Sequence, residues 1–449
     1  MATRHHRRRR GPSSTPATPV PTELLTLTVG EPAHGGACVA RADDGRVIFV
    51  RHTLPGETVR VRLTRMRNTL AWGDAIEILD PSEDRIDPIF PQAGPDGVGG
   101  AELSHVRPAA QRQWKETVLA GQIRRIGGED LATAVDAIGG IHVQPAIGDD
   151  TPGDPLTHRR TRIELAIDAD GRAGMHRHHH RDILPLDHMP LAHESINALG
   201  LFGANSPWAN RWTAGERIRA LAPTGDNPVV LIGNTGYGPD GTPTDTALKW
   251  NVNVRGEVLN YQVRADGFWQ THLRGPDTLA HAVLGASGAT GTTLDGSLDG
   301  ANVLELYSGA GLFSAVLGHA VGSNGQVLTL EGDDEAVINA QANTSHTGVV
   351  DTYAGAVDPE GVLDLAGELG HTPDLLVMDP PRSGAEKGVI ETIGQIGPTR
   401  VVLISCDPAA GARDLARFTK AGYDLDSIHA WDLFPHTHHV EFVASLLRK

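Results

Sequence analysis

At 449 residues, with 39% hydrophobic and 21% charged residues, the chain is too long for one compact core and has the balance of a soluble protein of two or three domains. No apolar run approaches the ~20 residues that a membrane-spanning helix needs, and two cysteines cannot build a disulfide scaffold. The formal net charge of −16 argues against indiscriminate nucleic-acid binding, although the charge is unevenly spread.

In chain order, the first ten residues, "MATRHHRRRR", carry five Arg, and Pro, Ser and Thr follow without an apolar stretch of signal-peptide length. Residues 1–20 therefore predict a disordered basic tail, and the reduced cysteine usage predicts a cytoplasmic protein. Residues 21–81 contain the β-rich runs "LLTLTV", "RVIFVR", "TVRVRLTRM" and "GDAIEIL", punctuated by Gly and Pro, which predict a small barrel. Seven Arg stand against three acids between Arg41 and Arg67, and alternation in "TVRVRLTR" puts Arg60, Arg62 and Arg65 on the wet face. Cys38, in "HGGACVA", reads as a small buried hydrophobe.

Residues 82–270 predict a mixed α+β domain: a helix over "PAAQRQWKETVLAGQIRRI", two strands around the turn in "TRIELAIDADGRAGMHRH", and strands near "NPVVLIG" and "LNYQVRA". Five Lys or Arg against one acid between Arg107 and Arg125 mark a second basic stretch. The run "HRHHHRD" at 176–182 reads as a solvated, partly cationic loop, because it offers no carboxylate or thiol in a spaced ligand pattern.

From residue 271 to 449, long apolar runs ("ANVLELY", "GQVLTLE", "PDLLVMD", "TRVVLIS", "HVEFVASLL") alternate with helical segments. That pattern predicts an α/β, doubly wound, Rossmann-like parallel sheet covered on both faces, with ligands at the carboxyl ends of its strands. Four such ends carry chemistry. In "LELYSGAGLFS", Gly309 and Gly311 let backbone approach a ligand closely, and Glu331 ends the next strand, where an acid can take both hydroxyls of a ribose. Ser314 stands where a dinucleotide fingerprint would need its third glycine. "LLVMDPPRSG" sets Asp379 on a stiff turn, and "VVLISCDPAAGARDL" puts Cys406 at a strand mouth.

These residues resemble the RNA uridine carbon-5 methyltransferases, which make 5-methyluridine in tRNA and rRNA. "MDPPRSG", "ISCDPAAGARDL" and "DLFPHTHHVEFVASL" follow that family's order, the early barrel resembles its TRAM domain, an OB-like RNA-binding module, and "GFWQTH" resembles its entry into the methyltransferase domain. The resemblance implies Cys406 as nucleophile, Glu441 as the base that removes the carbon-5 proton, and Asp379 at the uracil edge. It also implies Gln270, Tyr307, Glu331 and Asp379 as positions lining the cofactor and base pocket, beside the cofactor-binding Gly309 and Gly311 of the strand-end reading, with S-adenosylmethionine as cofactor and an RNA loop as partner; neither a membrane nor a metal is expected. His272 stands where many members carry Asn, and Leu312 and Ala356 replace common polar residues. Many members hold an iron–sulfur cluster on four cysteines; the matching stretch "DPIFPQAGPDGVGGAELSHVRPAAQRQWK" has none, so no cluster is expected.

Two other readings stand beside this one. Amino-group methylation of a base favours an aromatic after the two prolines, where Arg382 stands, and needs no thiol. A catalytically lapsed RNA-binding or chaperone protein would lack Cys406 or Glu441. The sequence does not choose between rRNA and tRNA or among uridines, and a monomer is the default expectation.

Overall fold

The computed structural model describes residues 21–449, so the tail expected over residues 1–20 falls outside the described residues. The chain divides into two compact units, Met1–Glu83 and Asp84–Lys449. The first holds β1 (Leu25–Thr28), β2 (Pro32–Ala33), β3 (Ala37–Arg41), β4 (Val47–Arg51), β5 (Thr58–Met66) and β6 (Leu70–Asp80), in one sheet of order β1-β5-β6-β4-β3-β2. Alternation along β5 buries Val59, Val61 and Leu63, and leaves Arg60 and Arg65 exposed with Arg62 half-buried. Cys38 sits in the core of this unit, its thiol 3.6 Å from the Thr53 carbonyl. On the surface, Phe49 stacks on Trp72 at 5.9 Å, and the Arg65 guanidinium lies 3.7 Å from the Trp72 ring centroid.

The second unit opens with α1 (Pro108–Gln122), α2 (Glu129–Ala137) and β7 (Val143–Pro145). An antiparallel sheet follows, made of β8 (Arg162–Ile167), β9 (Ala173–His176), β10 (Ile183–Pro185), β11 (Arg217–Leu221), β12 (Val229–Ile232), β13 (Thr235–Tyr237) and β14 (Pro243–Thr244), with α3 (Glu194–Asn197) between β10 and β11. It has its own apolar core around Ile163, Leu165, Trp208 and Ile218. The His-rich run forms the turn from β9 to β10.

A hairpin of β15 (Ala247–Val254) and β16 (Glu257–Arg264) leads into α4 (Gly275–Ala286). Then come β17 (Asn302–Leu306), α5 (Leu312–Val321), β18 (Gln326–Glu331), α6 (Asp334–Thr344), β19 (Val350–Ala354), α7 (Pro359–Leu369) and β20 (Leu375–Met378). The chain ends with α8 (Val389–Ile396), β21 (Arg400–Ser405), α9 (Pro408–Lys420), β22 (Tyr423–Asp432) and β23 (Glu441–Arg448). The resulting sheet has the order β19-β18-β17-β20-β21-β23-β22-β7 and is parallel except for β23, which is antiparallel to both neighbours. Its apolar strands, buried on both faces, pack on one side against α4, α5 and the hairpin, and on the other against α1, α2, α7, α8 and α9.

The sequence boundary near residue 270 is not a packing boundary. Helices α1 and α2 cover the large sheet, β7 extends it beside β22, and the β15–β16 hairpin joins its other core. Only the stretch from β8 to β14 stands as the expected central sheet. A three-residue strand paired with one near the far end of the chain leaves no local signature. No helix among the described residues is long and apolar enough to cross a membrane.

Candidate active site

The carboxyl ends of β17, β18, β20 and β21 carry the residues expected there. Beyond β17, Tyr307 adopts the left-handed region (φ 62°) and its N–H donates to the Leu330 carbonyl at 2.9 Å, which turns the chain out of the sheet. Gly309 (φ 53°) and Gly311 (φ 83°) then lead into α5. Gly311 is packed against α6, where a Cβ would lie 3.1 Å from Ala340 Cα and Cβ; a Cβ on Gly309 would meet no protein atom within 4 Å. The loop therefore turns a bare backbone face toward open space. Glu331 closes one side, its Oε2 accepting the Gly309 N–H at 2.9 Å and its Oε1 the Asp333 N–H at 2.9 Å. Each oxygen retains a further lone pair for a ligand.

Side chains that the sequence reading passed over brace this loop. The Asn343 amide donates to the Ala310 carbonyl at 2.9 Å and exchanges hydrogen bonds with the Gln262 backbone, while the Tyr261 hydroxyl donates to the Leu312 carbonyl at 2.9 Å. Ser314, in place of a fingerprint glycine, is buried and donates to Glu305 Oε2 at 2.6 Å. Burial pushes the Glu305 carboxyl up to about 8, with the Asp379 and Glu331 charges adding to the push and the Ser314 hydroxyl opposing it. A single acid inside the apolar run "VLELY" was the signal available for it.

Asp379 follows β20 on a turn tied to α9. The Gly384 N–H donates to the Pro381 carbonyl at 2.7 Å, the Ala385 N–H to Asp414 at 2.8 Å, and Arg413 to the Ser383 carbonyl. Burial raises the Asp379 carboxyl to about 7. Cys406 follows β21, and the next residue, Asp407, caps α9 by accepting the Ala409 and Ala410 N–H groups at 3.0 and 2.8 Å. β21 pairs antiparallel with β23, Ser405 against Phe442, and one further step of that register sets Cys406 opposite Glu441.

Electrostatics join these groups. Burial, then the negative charges of Glu441 and Asp379, push the Cys406 thiol up to about 12, with Arg382 pulling the other way. Burial and Asp379 raise the Glu441 carboxyl well above the ordinary range, again against Arg382. Glu441 is 4% exposed and Cys406 is half-buried, so both groups hold their protons more tightly than they would in water. Arg382, which the sequence marks only as a non-aromatic residue, is a cation whose charge acts on both.

Gln270 lies on a separate segment, between β16 and α4. The flanking backbone is held by hydrogen bonds from Thr161 N–H to the Thr271 carbonyl and from Leu273 N–H to the Arg159 carbonyl, each 2.8 Å. His272, at a position of departure from the resembled family, is buried with Nε2 2.9 Å from Asp149 Oδ2. Ahead of Gln270, Phe268 is 70% exposed, on a loop whose carbonyls at Gly267 and Asp266 accept from Arg162 and Arg219.

Known proteins resemble this chain in sequence and in fold. A TRAM domain model matches residues 23–76, and the model described as tRNA (Uracil-5-)-methyltransferase matches residues 370–449, the stretch holding Asp379, Cys406 and Glu441. An uncharacterized RNA methyltransferase of Streptomyces coelicolor is 38% identical over 447 residues, covering 94% of this chain and 93% of the relative. The 23S rRNA (uracil(1939)-C(5))-methyltransferase of Acinetobacter baylyi is 27% identical, over 89% of each chain. The structure of the Pyrococcus abyssi tRNA (uracil-54, C5)-methyltransferase, solved with S-adenosyl-L-homocysteine, has a TM-score of 0.65 at 19% identity, over 94% of this chain and 100% of its own, a likeness of fold.

Proposed function

The chain belongs to the RNA methyltransferase family of these full-length relatives, and from that premise we propose that it methylates carbon 5 of a uridine in structured RNA through a covalent adduct of Cys406. One observation carries the reading: a thiol and a buried carboxyl lie at the neighbouring ends of paired strands, close enough for the Glu441 charge to act on the thiol, at the end of the sheet where the Gly309 loop and Glu331 lie.

These residues fit S-adenosylmethionine. The bare face at Gly309 admits an adenosine, and Glu331 has acceptor capacity left for ribose hydroxyls. When bound, that molecule supplies the methyl group as an electrophilic sulfonium. Carbon 5 of uracil is a weak nucleophile, and the chain's own residues correct this. Cys406 gives its thiol proton to water, the thiolate bonds to carbon 6, and the displaced π pair moves onto the ring as an enolate, making carbon 5 nucleophilic. Arg382 offsets the negative charge that this step requires. After carbon 5 has taken the methyl group, the Glu441 carboxylate removes the remaining proton there. The released electron pair re-forms the ring double bond and expels the Cys406 thiolate. The raised affinity of Glu441 for a proton suits it to that removal.

The target base must leave its stack to meet a half-buried thiol, which favours a loop uridine. The first unit supplies groups for the surrounding strand: exposed Arg60 and Arg65 for phosphates, and the Phe49–Trp72 pair for bases. In the test, host RNA containing 5-fluorouridine is mixed with the protein and S-adenosylmethionine. Fluorine cannot be removed as a proton, so a denaturation-resistant protein–RNA adduct is expected and should vanish in Cys406→Ala. Absence of any adduct, with the cofactor bound, would overturn the reading in favour of another base or a binding protein.

A further inference from the structure

Glu441 is the first residue of β23, and the turn that delivers it, residues 433–440, is held from outside by α1 and by the segment preceding α1. Asp432, the last residue of β22, is 2% exposed and accepts from Lys115 Nζ at 2.5 Å; Lys115 is itself fully buried and also donates to the Phe434 carbonyl at 3.0 Å. One helical turn earlier, Gln111 makes a reciprocal pair with His436: its Oε1 accepts the His436 N–H at 2.7 Å, and its Nε2 lies 3.1 Å from His436 Nδ1. His436 Nε2 is 2.8 Å from the Pro155 carbonyl, an oxygen that can only accept. The imidazole is thereby fixed as its Nε2–H tautomer, with Nδ1 accepting from Gln111. Burial drops this imidazole to about 4, so it is neutral, as the pairing requires. The Leu103 N–H donates to the His436 carbonyl at 2.9 Å, and buried Glu102 sits 3.5 Å from His438 Nδ1.

His436 adopts a left-handed conformation (φ 67°), uncommon for a residue other than glycine, and the bonds around it hold it there. So many directed bonds on one short turn exceed what packing alone would need, because each buried polar group must be matched or left at a cost. Cys406 has none of this support: it is set by the Asp407 cap of α9 and by β21. The two groups thus share the β21–β23 pairing, but the turn that delivers Glu441 carries polar ties to α1 in addition.

We propose that Lys115 and Gln111 are positioning residues for proton removal: through Asp432, Phe434 and His436 they fix the β22–β23 turn so that Glu441 meets the carbon-5 proton. The inference rests on the proposed adduct chemistry, and it predicts a selective defect. Addition of Cys406 to the base and methyl transfer keep their rates, while resolution of the methylated adduct slows.

The experiment compares wild type, Gln111→Met, Lys115→Met and the double variant Lys115→Met/Asp432→Leu, with Glu441→Gln as reference. The double variant guards against misfolding, since replacing both members of a buried ion pair is tolerated better than orphaning one. Two rates are read: trapping of 5-fluorouridine RNA, and release of methylated RNA from the adduct on ordinary RNA. Expected are trapping within about threefold of wild type and release slowed tenfold or more, with adduct accumulating as in Glu441→Gln. Folded variants with wild-type release would overturn the proposal, and so would equal loss of both rates, the mark of a merely structural role. If wild type forms no adduct, the chemistry itself fails and the proposal falls with it; if wild type traps and releases normally, only the positioning role is at stake.

Discussion

Cys406 and Glu441 stand one register step beyond the Ser405–Phe442 pair, on antiparallel neighbours in an otherwise parallel sheet. The reversal of β23 is what makes this possible. A parallel strand in that place would carry its first residue to the opposite end of the sheet, away from the ligand-binding edge. Thiol and carboxyl thus come from strands separated by α9 and β22, and the Glu441 charge adds to the burial that raises the thiol's proton affinity.

Glu441→Gln should separate the two halves of the reaction. An amide cannot take the carbon-5 proton, so on ordinary uridine RNA the variant should add, methylate and stall, with turnover reduced ~10²–10⁴-fold. A denaturing gel with a labelled methyl group would display the stalled adduct. Free methylated RNA at the wild-type rate would remove Glu441 from the role of base.

The pH dependence of adduct formation follows from the thiol. Its proton leaves only near 12, so from pH 6.5 to 9 the reactive thiolate is a minor form that grows with pH. The trapping rate on 5-fluorouridine RNA should climb through this range without a plateau. Arg382→Gln removes the cation that opposes the rise, so trapping at any one pH should fall. A plateau near neutrality would mean that bound RNA, not Arg382, activates the thiol.

The two glycines of the β17–α5 loop should respond differently to the same change. Gly311→Ala presses a Cβ to 3.1 Å from Ala340 at φ 83°, so thermal stability should drop by about 1–3 kcal/mol. Gly309→Ala meets no protein atom within 4 Å, so the fold should lose only ~1 kcal/mol while S-adenosylmethionine binding weakens at least tenfold. Calorimetric unfolding and cofactor titration on both variants check the contrast.

The basic face of the first unit gives a salt test. Replacing Arg60, Arg62 and Arg65 with Ser should weaken RNA binding and lower the slope of log affinity against log salt by up to about 2, the value for three lost phosphate contacts on single strands. An unchanged slope would place the RNA elsewhere.

Much of this site was legible because its residues close strands whose apolar runs are long and uniform: Gly309, Glu331, Asp379 and Cys406 each follow such a run. What escaped reading was relational. β22, "YDLDSIHAWD", mixes charged and apolar residues at a sheet flank and gives no clean period, and β7 is three residues long. Lys115 and Gln111 look like ordinary polar positions on an amphipathic helix until the β22–β23 turn supplies their partners. Glu305 carried a local signal, an acid in a buried strand, but its partner Ser314 belongs to the following helix.

Glu305 permits a stability prediction whose sign can be worked out. Its folded carboxyl titrates near 8, whereas an unfolded glutamate titrates near its ordinary 4.5. Below the lower value both states hold the proton, and the group's contribution to stability is fully present. Between the two values the unfolded chain has released its proton while the native protein keeps it, so stability falls with rising pH; above 8 the loss is complete. Glu305→Gln abolishes this titration, whatever constant offset the amide adds or removes. The difference in unfolding free energy between wild type and variant, followed by urea denaturation from pH 5 to pH 8, should therefore shift in the variant's favour by on the order of 2–4 kcal/mol. The Ser314 hydroxyl can still donate to the amide oxygen, so the loop above should stay in place. A pH-independent difference would mean that Glu305 is ionised in the folded protein.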